Sequence, residues 1–173
     1  MKVLGVDPGT WRTGAGLIEG QGNRYRLLYY ETIAVRKKST LLERLSQIYR
    51  ALLKIIQQNL PDVLALENVF YAKDVSATIR LGEARACAML AACESGVGVV
   101  EYSPARVKQS VSGNGRASKE QVQHMVKTLL NLKEVPPPDS ADALAVAICH
   151  LHSSGSPLLN LPRKKDLVFQ FKE

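Results

Sequence analysis

The apolar and polar positions divide the chain into strands first and helices later. KVLGVD at residues 2–7 is a short apolar run closed by an acid. TGAGLIE at 13–19 and RYRLLYYETIAV at 24–35 flank the turn-rich GQGN and predict a β-hairpin. The second of these alternates only in part, which leaves its register open. Leu41, Leu42, Leu45, Ile48, Leu52, Ile55 and Ile56 recur at helical spacing within 40–57, with Ser39 or Thr40 as the cap. VLALEN at 63–68 and VGVVEY at 97–102 have the form of strands buried on both faces. Between them, residues 75–94 predict a long alanine-rich helix. Helices near 104–111 and 118–131 flank the glycine-marked SGNGR, and Ser118 with Gln121 three residues on makes a capping box. Pro136, Pro137 and Pro138 stop the chain before a last helix from Asp139 to about His152.

A hairpin that extends the first strand, followed by strands that return through helices, implies an α/β fold. The expected form is a mixed five-stranded sheet with helices on both faces and the first strand at its centre, the ribonuclease H-like arrangement. Its domain is expected over 1–155, with 156–173 as a basic, mobile C-terminal tail. At 173 residues the chain is long enough to bury a core without disulfides. Cys87, Cys93 and Cys149 lack metal-ligand spacing, and Cys87 and Cys149 sit among small apolar residues, so buried thiols are expected. No run of about eighteen apolar residues predicts a membrane-spanning helix. Asp7 interrupts the place where a signal peptide would carry its apolar core, so a cytoplasmic location is expected.

Charge adds a direction. Lys and Arg number 23 against 16 Asp and Glu, a net charge of +7 that suits a polyanionic partner such as nucleic acid. Four carboxylates stand in unusual places. Asp7 and Glu67 each end an apolar strand, and Asp139 and Asp142 lie three apart on one face of the last helix. If the first and fourth strands are neighbours, a helix across their carboxyl ends brings all four together. Ionised acids so clustered repel one another, and hydrated divalent cations relieve the repulsion. Oxygen ligands without histidine or thiolate favour Mg²⁺ or Mn²⁺ over zinc. Two such ions about 3.5–4 Å apart can activate water and stabilise the leaving oxygen in phosphodiester hydrolysis. Each acid also has a structural reading. Asp7 before Pro-Gly could be a turn residue, Glu67 a solvated strand end, and Asp139 a helix cap. Asp142, among Ala141, Leu144, Ala145 and Ile148, is the hardest to explain in that way.

The stretches LGVDPGTWRTGAGLI, LALENVFYAKDVSATIRLGEARACAMLAA, YSPARVKQSVSGNGRASKEQVQHMVKTLL and PDSADALAVAICHLH resemble the RuvC family of bacterial Holliday junction resolvases, from about residue 3 to about 152. The resemblance implies a ribonuclease H-like homodimer that uses two Mg²⁺ per active site, with Mn²⁺ as a possible substitute. It implies symmetric paired nicks in a four-way DNA junction that leave 5′-phosphate and 3′-hydroxyl ends, in recombination and repair. It places the catalytic, metal-binding acids on Asp7, Glu67, Asp139 and Asp142, and implies association with the RuvA–RuvB branch-migration complex.

Between Ser103 and Lys133 six cations face one acid, Glu120. Lys108, Arg116 and Lys119 are the candidate phosphate contacts, whereas Lys127 and Lys133 suit a solvated helix face. The resemblance gives Phe70, with Tyr71 beside it, a stacking role on unpaired bases. His124, His150 and His152 share no ligand spacing, and only His150 has a place near the acid-bearing helix. Two other functions remain in play. An actin-like or sugar-kinase-type nucleotide binder also opens on D-x-G-T, but needs a second lobe. A non-catalytic junction-binding module would be weakened by four acids near phosphate.

Overall fold

The computed structural model describes residues 1–21, 24–68 and 74–154. Strands β1 (Lys2–Asp7), β2 (Arg12–Gln21) and β3 (Arg24–Ala34) lead into α1 (Leu41–Asn59). Then follow β4 (Val63–Glu67), α2 (Val75–Glu94), β5 (Gly98–Tyr102), α3 (Pro104–Ser112), α4 (Lys119–Leu129) and α5 (Pro138–Ser154). The five strands form one sheet in the order β3-β2-β1-β4-β5. β1 is central, antiparallel to β2 and parallel to β4, as the hairpin-first pattern requires. The incomplete alternation of β3 has a local cause. The β2–β3 register shifts at Leu17/Ile18, and the shift leaves Leu28 as an extra residue on the edge strand.

The caps follow from side-chain chemistry. Thr40 and Glu43 close a capping box on α1, and Ser118 and Gln121 do the same on α4. Cys87 and Cys149 are buried as expected, and Cys93 is exposed. Lys127 is half-buried rather than fully solvated. His150 is a core residue whose Nδ1 meets the Tyr102 hydroxyl at 2.7 Å, and burial holds its pKa down at about 4. Among the described residues no helix is long and apolar enough to cross a membrane.

Two cores lie on opposite faces of the sheet. Leu4, Val6, Leu17, Leu64 and Leu66 pack with α1 and α2. Val3, Ile18, Val63 and Ala65 pack with α3, α4 and α5. Because strand side chains alternate, Asp7 and Glu67 belong to this second face, two residues beyond Gly5 and Ala65. Glycines hold α5 close to it. A Cβ at Gly5 would overlap the Ala143 carbonyl oxygen, and one at Gly14 would overlap that of Asp139. On the helix side Ala141, Ala143, Ala145 and Ala147 are fully buried. Both colliding atoms are backbone, so no rotamer change relieves the clash. Gly5→Ala is therefore expected to destabilise the protein by about 1–3 kcal/mol, read as a lower urea midpoint. An unchanged midpoint would mean that α5 can lift from the sheet at little cost.

Candidate active site

The carboxyl ends of β1 and β4 lie side by side. Val6 pairs with Leu66, which sets Asp7 and Glu67 one step further along on adjacent strands. The turn after Asp7 is shaped by buried Thr13, whose hydroxyl donates to the Gly9 carbonyl at 2.9 Å and accepts from the Gly9 amide at 3.3 Å. The first turn of α5 is fixed where buried Ser140 meets the Thr32 hydroxyl at 2.9 Å. Asp142 thereby enters a pocket it shares with Asp7, Glu67, Lys108 and Lys119. Asp139, paired with Arg12, acts on Asp7 through its charge. Of the four acids expected to converge, Asp7, Glu67 and Asp142 line one pocket and Asp139 does not. Arg116 does not line this pocket; it is exposed on the α3–α4 loop, where its amide bonds Asn114 Oδ1 at 2.9 Å. Phe70 and Tyr71 lie outside the described residues, as does the tail from 156 to 173.

The cluster carries the electrostatic cost that its chemistry predicts. Burial, followed by the charges of Asp142 and Glu67, pushes the Asp7 carboxyl up to about 7. Glu67 is raised for the same reasons, burial first and Asp142 second, with Lys119 and Lys108 opposing. Two cations offset the helix-borne acids. Lys119 Nζ donates to Asp142 Oδ2 at 3.2 Å, and Arg12 Nε donates to Asp139 Oδ2 at 2.7 Å. Among the described residues no three acid, histidine or thiol groups stand close enough to enclose an ion, in keeping with side chains held by these pairs. The donor set at the pocket is all oxygen, which fits a hard divalent cation.

Two positioning contacts have no local sequence signal. Arg12 reaches Asp139 across 127 residues. Arg85 on α2, nearly buried, donates from Nη1 to the Glu67 main-chain carbonyl at 2.7 Å and pairs with Glu101 on β5. It ties the end of β4 to α2 and to β5. The only hint in the chain was its place among alanines on an otherwise buried helix face.

The comparisons agree with this geometry. The profile of a family described as "Crossover junction endodeoxyribonuclease RuvC" matches residues 3–150. A protein of that name from Geobacter sp. (strain M21) is 48% identical over 159 residues, covering 92% of this chain and 97% of the relative. One from Citrifermentans bemidjiense is 48% identical over 155 residues, covering 90% and 94%. The solved structure of "T. thermophilus RuvC in complex with Holliday junction substrate" superposes with a TM-score of 0.85 at 35% identity, covering 89% of this chain and 94% of that one. With the strand order, the acid pocket and these likenesses together, the chain belongs to the RuvC family of crossover junction endodeoxyribonucleases.

Proposed function

We propose that this chain resolves four-way DNA junctions as a metal-dependent endonuclease, cutting two strands symmetrically to leave 5′-phosphate and 3′-hydroxyl ends. The observation that carries the reading is the pocket in which Asp7, Glu67 and Asp142 meet beside Lys108 and Lys119, within reach of the Asp139 charge. Family membership supports the substrate, since a relative of similar fold is described in complex with a Holliday junction. Asp7, Glu67, Asp139 and Asp142 would hold two Mg²⁺, with Mn²⁺ able to replace them. Such ions, when bound, supply an activated water and stabilise the leaving oxygen. The chain's own cations do the remaining work. Lys108 and Lys119 neutralise the phosphate being cut, and Arg116 contacts backbone further along the strand. Arg85 keeps the Glu67 main chain in place.

Paired nicks call for two centres, and α2 supports a homodimer. Val75, Ile79 and Leu90 are 69%, 58% and 61% exposed, and Met89 is 40% exposed. With Ala86 they form an outward stripe at helical spacing, opposite the face that packs on α1. A second copy, presenting the same stripe, is the occupant we assign. RuvA–RuvB is the further partner that membership in the family implies.

Three outcomes test this reading. Asp7→Asn, Glu67→Gln, Asp139→Asn and Asp142→Asn should each slow nicking of a synthetic four-way junction by about 10³-fold or more, while gel-shift binding persists. Two of the four retaining near-normal rates would remove the assignment. Leu90→Glu should convert the dimer to a monomer in sedimentation velocity, and an unchanged sedimentation coefficient would place the interface elsewhere.

The third outcome concerns pH. A carboxyl whose pKa is raised on folding stabilises the native state fully below its unfolded pKa, and that stability is lost as pH rises through the folded value. For Asp7 the window runs from about 4 to about 7. Asp7→Asn should therefore raise the melting temperature in EDTA at pH 8 and change it little at pH 4. An equal effect at both pH values would show that charge is not the cause.

A further inference from the structure

Lys108 and Lys119 approach the acid pocket from α3 and α4, the helices that follow β5. The other side of the centre, where β2 begins and β3 ends, has a charged surface of its own to which neither the family resemblance nor the acid pocket gives a role. Trp11 immediately follows the loop from Asp7. It is 48% exposed, an unusual state for the largest apolar side chain in the protein. Its place is nevertheless fixed. The Trp11 carbonyl accepts from the Val35 amide at 3.2 Å, and the Arg44 guanidinium lies 3.8 Å from the ring centroid. Arg44 is itself buried. A ring stacked on a buried cation has one face occupied and the rest free for a ligand.

Basic residues adjoin it. Arg12 pairs across the strands with Ala34, and Arg36, Lys37 and Lys38 follow within four residues. Even fully extended, that stretch keeps Lys38 within about 14 Å of Ala34. The Ser39 amide closes a turn onto the Arg36 carbonyl at 3.1 Å, and the turn presents exposed Lys37 and Lys38 at its tip. Glu43, which feels the charge of Arg36, is engaged by Thr40 in the cap of α1. Among the described residues Lys37 and Lys38 pair with no carboxylate. The ridge runs directly into the acid cluster, because Arg12 Nε holds Asp139 Oδ2 at 2.7 Å.

We propose that Trp11, Arg12 and the Arg36–Lys38 turn form a second DNA-contact surface, which takes the phosphate backbone of one duplex arm on the β2–β3 side of the active centre. The cations neutralise phosphates, and the exposed indole packs against the sugar backbone between them. The inference rests on the proposed function, since it presumes that the strands being cut lie at the acid pocket. Continuity with Asp139 and charge complementarity favour DNA over any other occupant.

Trp11 is the single tryptophan among 173 residues, so fluorescence excited beyond the tyrosine absorption band reports from this ridge alone. The full chain is titrated in EDTA with a four-way junction and with a matched duplex, and acrylamide quenching is measured on the free and saturated protein. Saturation with junction should lower the acrylamide quenching constant at least twofold. The double variant Lys37→Ala, Lys38→Ala, checked by its melting curve, should flatten the slope of log affinity against log salt by about two units. Lys37→Arg with Lys38→Arg should restore the slope. Failure of either the protection or the slope change overturns the inference. So does protection of Trp11 that grows with protein concentration without DNA, which would assign the ridge to a protein contact. If the wild-type chain retains the junction no better than the duplex, the proposed function falls and this inference with it. If it retains the junction while Trp11 stays open to acrylamide, this inference falls alone.

Discussion

The approach of α5 to the sheet is the constraint on which the rest of the molecule depends. Asp139 and Asp142 belong to the last helix, while Asp7 and Glu67 end strands laid down much earlier in the chain. Carboxylate side chains are short, so they share one pocket only if the helix backbone comes nearly into contact with the strands. Gly5 and Gly14 leave the required space on one side, and the alanines of α5 leave it on the other. Interiors pack to near crystal density, so a gap of one methyl group more would be filled by moving the helix. The small residues are thus as much a part of the site as the acids.

That proximity has an electrostatic consequence. Carboxylates brought together in a half-buried pocket raise one another's proton affinity, and Asp7 bears most of the effect. Arg12 and Lys119 balance the two helix-borne acids with partly exposed pairs, which contribute little to stability because solvent screens them. Weak, exposed counter-ions suit the proposed centre, in which the acids would exchange these cations for metal ions. A buried pair would be costly to break once formed.

The strand order and most element boundaries were legible in the chain because period-2 and period-3.6 patterns are local. Asp7 and Glu67 were legible for the same reason, as acids closing apolar runs. The convergence with Asp139 and Asp142 followed only after the sheet order was inferred. Arg12 and Arg85 were not legible, because their partners lie 127 and 18 residues away and no spacing rule connects them. The β3 register stayed open for a physical reason, since an edge strand with a bulge has no second neighbour to enforce alternation. The glycines could have been noticed, because Gly14 and Gly16 alternate on one face of a strand, and such spacing marks close approach of another backbone.

Arg85 gives the molecule a mechanical linkage. It sits on α2, whose outward stripe is apolar, and its guanidinium reaches inward to the Glu67 carbonyl and the Glu101 carboxylate. One rigid helix therefore has a gripping surface on one side and the end of an acid-bearing strand on the other. Between the outside of α2 and Glu67 there is no intervening loop, only the Arg85 side chain and its hydrogen bond. The outward stripe of α2 and the end of β4 are thus joined through a single side chain.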